Sequence, residues 1–92
     1  MIRSFRHKGL RQLFESGSLR GVPPEMAQRI VRRLDALQAA TTPHDLKLPG
    51  FDLHELKGAR KGAWSLRISG NYRITFAFRE GDAWDLDLED YH

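Results

Sequence analysis

The chain has 92 residues, of which 40% are hydrophobic, 10% aromatic and 29% charged, and it has no cysteine. That length leaves room for one modest core and excludes a second domain, and the composition excludes disordered and fibrous classes. The missing cysteine excludes disulfide scaffolds, thiolate metal sites and cysteine nucleophiles.

The net charge of +3 hides an uneven distribution. Residues 1–81 carry all fifteen Lys and Arg against seven acids, a balance of +8, and residues 82–92 carry five acids and no base. A basic body suits a polyanion or an acidic protein partner, and it equally suits ordinary solvated surface. No apolar run approaches the roughly 18–20 residues of a membrane span. The basic start from Met1 to Lys8 is followed by no apolar stretch, so no secretory signal is expected, and a cytoplasmic protein is.

Ile2 to Phe5 reads as a short first strand. Leu10, Leu13 and Phe14 recur at i, i+3, i+4 and predict a short helix that ends at Ser16-Gly17-Ser18. Pro23-Pro24 opens a second helix, because proline is tolerated where its missing N–H is not needed. Met26, Ala27, Ile30, Val31, Leu34 and Leu37 form its apolar face to about Ala40. Arg29, Arg32 and Arg33 form a basic stripe on it. Residues 44–62, rich in proline and glycine, read as loop.

Three period-two runs follow, joined at Gly70-Asn71 and Glu80-Gly81-Asp82, and predict an antiparallel meander. Sharing one apolar face requires Ile68 opposite Ile74, Leu66 opposite Phe76, Phe78 opposite Trp84, Phe76 opposite Leu86 and Ile74 opposite Leu88. The expected architecture is α+β, with two N-terminal helices packed on one face of a small antiparallel sheet, as a single domain over residues 1–92. The other face would carry Arg67, Ser69, Arg73, Thr75, Arg79, Asp85, Asp87 and Glu89, with Arg73 between Ser69 and Glu89. Arginines on neighbouring strands suit a phosphodiester, because the planar fork binds two phosphate oxygens. The same face also reads as solvated cross-strand pairs between Arg73 or Arg79 and the acids.

His7, His44, His54 and His92 do not pair at metal-ligand spacing, and Asp85 to Asp90 lacks the glycine and later glutamate of a calcium loop. No phosphate loop, dinucleotide fingerprint or nucleophile elbow is present. Neither a metal nor a cofactor is expected. Asp90-Tyr91-His92 puts a titratable imidazole beside an aromatic ring and a carboxylate, a set able to move a proton near neutral pH; taken alone it reads first as a frayed end with no role.

The segments Ile2 to Leu10, Leu53-His54-Glu55-Leu56-Lys57-Gly58, Gly62-Ala63-Trp64-Ser65, Asn71 to Phe76 and Glu89-Asp90-Tyr91-His92 closely resemble the HigB (host inhibition of growth) branch of the RelE/ParE toxin superfamily. The resemblance runs along essentially the whole chain. It implies a microbial-ribonuclease-like α+β fold and the toxin of a type II toxin–antitoxin pair, acting as a ribosome-dependent endoribonuclease on mRNA in the A site. It implies catalytic roles at His54, Arg73, Asp90, Tyr91 and His92, and RNA binding at Lys57, Arg67 and Asn71. The implied partners are the ribosome and mRNA and a HigA-like helix-turn-helix antitoxin, which alone would contact operator DNA; no membrane is implied. Two other readings stay open: a ParE-like inhibitor of DNA gyrase, and a non-catalytic basic RNA-binding module.

Overall fold

The computed structural model describes residues 1–60 and 62–91. Helix α1 spans Lys8–Ser16, with Leu10 and Leu13 buried. The Nδ1 of His7 caps its start by accepting from the Leu10 N–H at 3.1 Å. Gly17, at φ 73°, closes its end in the left-handed conformation that glycine adopts without penalty. The second helix begins one turn later than Pro24 predicts. Pro24–Met26 form a 3-10 turn, and α2 runs Ala27–Ala39. The start of α1 lies so close to the turn before α2 that a Cβ on Gly9 would stand 2.1 Å from the Gly21 carbonyl oxygen.

Four strands, β1 (His54–Glu55), β2 (Ala63–Arg67), β3 (Tyr72–Arg79) and β4 (Asp82–Asp90), form one antiparallel sheet in the order β1-β2-β3-β4. Leu10, Ile30, Leu34 and Leu37 from the helices meet Leu66, Ile74, Phe76 and Leu86 of the sheet in a core where none is more than 2% exposed. The α+β arrangement read from the sequence is the observed one. Residues 2–5 do not form a regular strand; Ile2 and Phe5 bridge Ala83 and Leu86 in parallel along the free edge of β4. The stretch expected as loop contains β1 and two 3-10 turns, Pro43–Leu46 and Gly58–Arg60. Among the described residues, no helix is long and apolar enough to cross a membrane.

The register differs from expectation in two places. Across β2 and β3 the pairs are Leu66 with Ile74, Trp64 with Phe76 and Arg67 with Arg73. The expected pairing is therefore two residues out, and Arg73 faces Arg67 rather than Ser69. The apolar face survives because a slip of two keeps each side chain on its side. Across β3 and β4, Ile74 faces Leu88 and Arg73 faces Glu89 as expected. The pairing then shifts, so that Ala77 faces Trp84 and Phe78 faces Ala83. Asp85, at φ 57°, is the residue that makes this bulge. Ala83 consequently takes the core position, 0% exposed, and Trp84 turns outward under the Arg79 guanidinium, 4.7 Å from the ring centre.

Arg33 does not belong to an exposed basic stripe. It is buried, and its guanidinium donates to the carbonyls of Arg67 (3.0 Å), Gly50 (3.0 Å) and Arg29 (3.3 Å) while lying 4.5 Å from the centre of the Phe51 ring. Burial, with the like charges of Arg32 and Arg29, holds its pKa below the usual arginine value. It ties α2, the end of β2 and the turn before β1 together.

Candidate active site

The sheet face turned away from the helices carries a groove of about 300 Å³ between the segment from His54 to Lys57 and the outer side of β2, β3 and Tyr91. His54, Lys57, Ser65, Arg73 and Tyr91 line it. Alternation along β2 and β3 explains the floor. Leu66 and Ile74 face the core, so Ser65 and Arg73 face the groove.

Arg73 is the centre of this arrangement. One terminal nitrogen donates to the Ser65 hydroxyl and the other pairs with Asp52 Oδ2, both at 3.3 Å. Its Cζ lies 5.9 Å from the centre of the Tyr91 ring. The guanidinium is thus held through both terminal nitrogens where it lines the groove.

His54 is oriented by the same acid. Its Nδ1 lies 3.1 Å from the Asp52 carbonyl oxygen and 3.4 Å from Asp52 Oδ1. Both partners are acceptors, so a proton on Nδ1 satisfies them, and Nε2 is the ring nitrogen left free of these contacts. Asp52 stands at φ 47°, a left-handed conformation that aspartate tolerates, and this turns its backbone and carboxylate to the two groove residues at once.

A second network forms the neighbouring wall. Arg60 binds Glu89 through two nitrogens and lies 3.4 Å from the Tyr91 hydroxyl, and Glu89 accepts from the buried Thr75 hydroxyl. The bonds from Arg60, then from Thr75, hold the Glu89 carboxyl below the usual carboxylate range, against the cost of burial. The cross-strand ion pairs expected for Arg73 and Arg79 do not form. Arg73 takes Asp52, Arg60 takes Glu89, and Arg79 lies on Trp84.

Of the residues read from the sequence, His54, Lys57, Arg73 and Tyr91 converge. Arg67 lies beside Arg73 on the same face but is exposed, and its Nε donates back to the Ser69 carbonyl. Asn71 enters through its backbone: its carbonyl accepts the Tyr91 N–H at 2.7 Å and fixes that residue beside the β2–β3 turn. Asp90 faces Tyr72, one step out of phase with the Arg73–Glu89 pair, and is not among the residues lining the groove. His92 lies outside the described residues. Asp52, Arg60 and Ser65 are the additions. For Asp52 the sequence holds one weak signal, a turn-forming Gly50-Phe51-Asp52 just ahead of His54.

Comparison with known proteins matches this chain, over residues 3–92, to the model of a HigB-like toxin family described as a RelE-like toxin of type II toxin-antitoxin system HigB. The chain belongs to this family. It is 50% identical over 92 residues to a protein of Proteus vulgaris named Endoribonuclease HigB, with each chain covered in full. It is 32% identical over 91 residues to Toxin HigB-1 of Vibrio cholerae, covering 97% of this chain and 96% of that protein. Two solved structures share the fold. The YoeB-YefM complex from Staphylococcus aureus has a TM-score of 0.63 at 14% identity, covering 100% of this chain and 98% of the other. The YoeB dimer from the same organism has a TM-score of 0.61 at 14% identity, covering 99% and 97%.

Proposed function

We propose that this HigB-family toxin is an endoribonuclease that cuts mRNA in the ribosomal A site and so arrests translation and growth. The observation that carries the reading is the convergence of an oriented imidazole, a braced guanidinium, a lysine and an aromatic ring on one groove. The 50%-identical relative named an endoribonuclease supports it.

RNA cleavage through its own 2′-hydroxyl needs a base, a cation for the charge gathering at phosphorus, and an acid for the leaving oxygen. His54 Nε2 takes the 2′-OH proton. The 2′-oxygen bonds to phosphorus, the bond to the next nucleotide's 5′-oxygen breaks, and a 2′,3′-cyclic phosphate remains. Arg73 stabilises the phosphorane charge, and Lys57, Arg67 and Asn71 hold the flanking RNA. Tyr91 stacks on or orients the substrate. His92 protonates the leaving oxygen, with Asp90 polarising it. The groove is shallow and open, so the ribosome supplies the positioning a flexible strand requires.

The partner is a HigA-like helix-turn-helix antitoxin that alone carries the pair to operator DNA, and the pair acts in the cytoplasm. Primer extension on a reporter transcript after induction, with and without translation, tests the reading. Cuts within codons on the translated transcript alone are expected. An uncut transcript, with growth still arrested, refutes it and leaves gyrase inhibition or simple RNA binding.

A further inference from the structure

On the same sheet face, beyond the Arg60–Glu89 pair, lies a second recess of about 440 Å³. Arg6, Arg60 and Arg79 wall it, Ala63 and Ala77 lie opposite each other across β2 and β3, and Asp85 is the one acid among its described lining residues. That size falls in the range of small-ligand sites. The two alanines explain the depression, because larger neighbours on this face would fill it.

The charge on the walls is only partly compensated, since Glu89, bound to Arg60, is the acid whose field also reaches Arg6. Asp85 accepts from the Ser4 hydroxyl at 3.1 Å, and Arg60 is engaged by Glu89. Among the described residues, no carboxylate lies within ion-pair distance of Arg6 or Arg79. Arg79 rests against the Trp84 ring, 4.7 Å from its centre, an arrangement that exists because the Asp85 bulge turned that ring outward. A guanidinium braced on an aromatic ring presents both a cation for phosphate and a plane for stacking a base. Arg73 and Ala77 are four residues apart on β3, so the recess centre lies about 13 Å along the strand from the groove, within reach of one continuous oligonucleotide.

We propose that this recess is a second nucleotide subsite, in which Arg6 and Arg79 take a backbone phosphate and stack a base of the RNA strand whose scissile linkage lies at Arg73. The inference rests on the nuclease reading for the identity of the strand, but its test needs no cleavage. A short RNA with every 2′-hydroxyl methylated cannot be cut, so its binding to the purified protein reads the surface alone.

The affinity of this RNA is measured by fluorescence anisotropy across a salt series for wild type, Arg6→Ala, Arg79→Ala, Ala77→Leu and Arg20→Ala, with circular dichroism confirming that each folds. Arg6→Ala and Arg79→Ala should each weaken binding about tenfold, the scale of a hydrogen bond to a charged group. Each should also lower the slope of log affinity against log salt by about 0.7. Ala77→Leu fills the recess without removing charge, and should weaken binding while leaving the slope intact. Arg20→Ala removes an exposed charge elsewhere and should change little. If Arg6→Ala and Arg79→Ala match Arg20→Ala, or Ala77→Leu binds fully, the subsite is overturned. No binding by wild type at millimolar RNA overturns it too. Loss of binding to a polyglutamate peptide, with RNA binding intact, reassigns the recess to a protein carboxylate and overturns it. Failure of the nuclease reading shows separately, as absence of cuts in primer extension.

Discussion

Replacing Arg33 by methionine keeps most of the stem's volume and removes every donor. Two bonds at 3.0 Å, to the Arg67 and Gly50 carbonyls, and one at 3.3 Å, to Arg29, are lost together with the contact to Phe51. Bonds from a charged donor contribute about 1.5–3 kcal/mol each, and a cation over an aromatic ring about 0.5–2. Against this stands the cost of burying the charge, which the depressed pKa reports. The net expectation is a loss of about 3 kcal/mol, which for a domain of this size lowers Tm by about 12–24 °C. Urea unfolding followed by tryptophan fluorescence measures it. Arg33→Lys should recover less than half, because a single ammonium cannot reach three carbonyls in one plane. A loss below about 1 kcal/mol for the methionine variant refutes the reasoning: water would then satisfy the carbonyls, and desolvation would cancel the bonds.

Arg73→Ala should lower cleavage of translated mRNA by about 10²–10³-fold, and Arg73→Lys should recover part of the charge but not the brace to Ser65 and Asp52; single-turnover cleavage on programmed ribosomes measures both. Gly9→Ala should destabilise by about 1–3 kcal/mol despite alanine's better helix propensity, because the new Cβ meets the Gly21 backbone; thermal unfolding gives the sign. The lowered pKa of Glu89, set first by Arg60 and then by Thr75, makes the Arg60–Glu89 contact pH-dependent. Its contribution is full above the ordinary glutamate value of 4.5 and drains away as pH falls through the lower native value. The stability gap between wild type and Glu89→Gln should therefore close in acid, and a gap constant with pH in urea titrations contradicts the assignment.

The meander, both helices and the shared apolar face were legible in the sequence because periodicity encodes which side of an element is buried. The bulge was not. An aspartate at a left-handed position leaves no mark in an alternating Trp84 to Glu89 pattern, and it alone exchanges Ala83 for Trp84 in the core. The two-residue slip of β2 on β3 was equally hidden, since both registers bury the same set. Arg33 looked like a member of a surface stripe because helical spacing says which face a residue is on, and not whether carbonyls await it inside. His54, Lys57, Arg73 and Tyr91 were named from their chemistry and a family resemblance, and the fold brings them to one groove. Asp52 sits in an irregular turn and Arg60 in a single 3-10 turn, where only tertiary contacts reveal a purpose.

The margins of the sheet constrain how this toxin meets other chains. Along β4, the N–H groups of Arg3 and Arg6 bond the carbonyls of Ala83 and Leu86. At the opposite margin β1 offers only two residues. An incoming extended peptide therefore finds little main chain to pair with, on either side. Recognition must go through side chains on the broad surfaces. The same closure guards the toxin against self-association by edge-to-edge strand pairing.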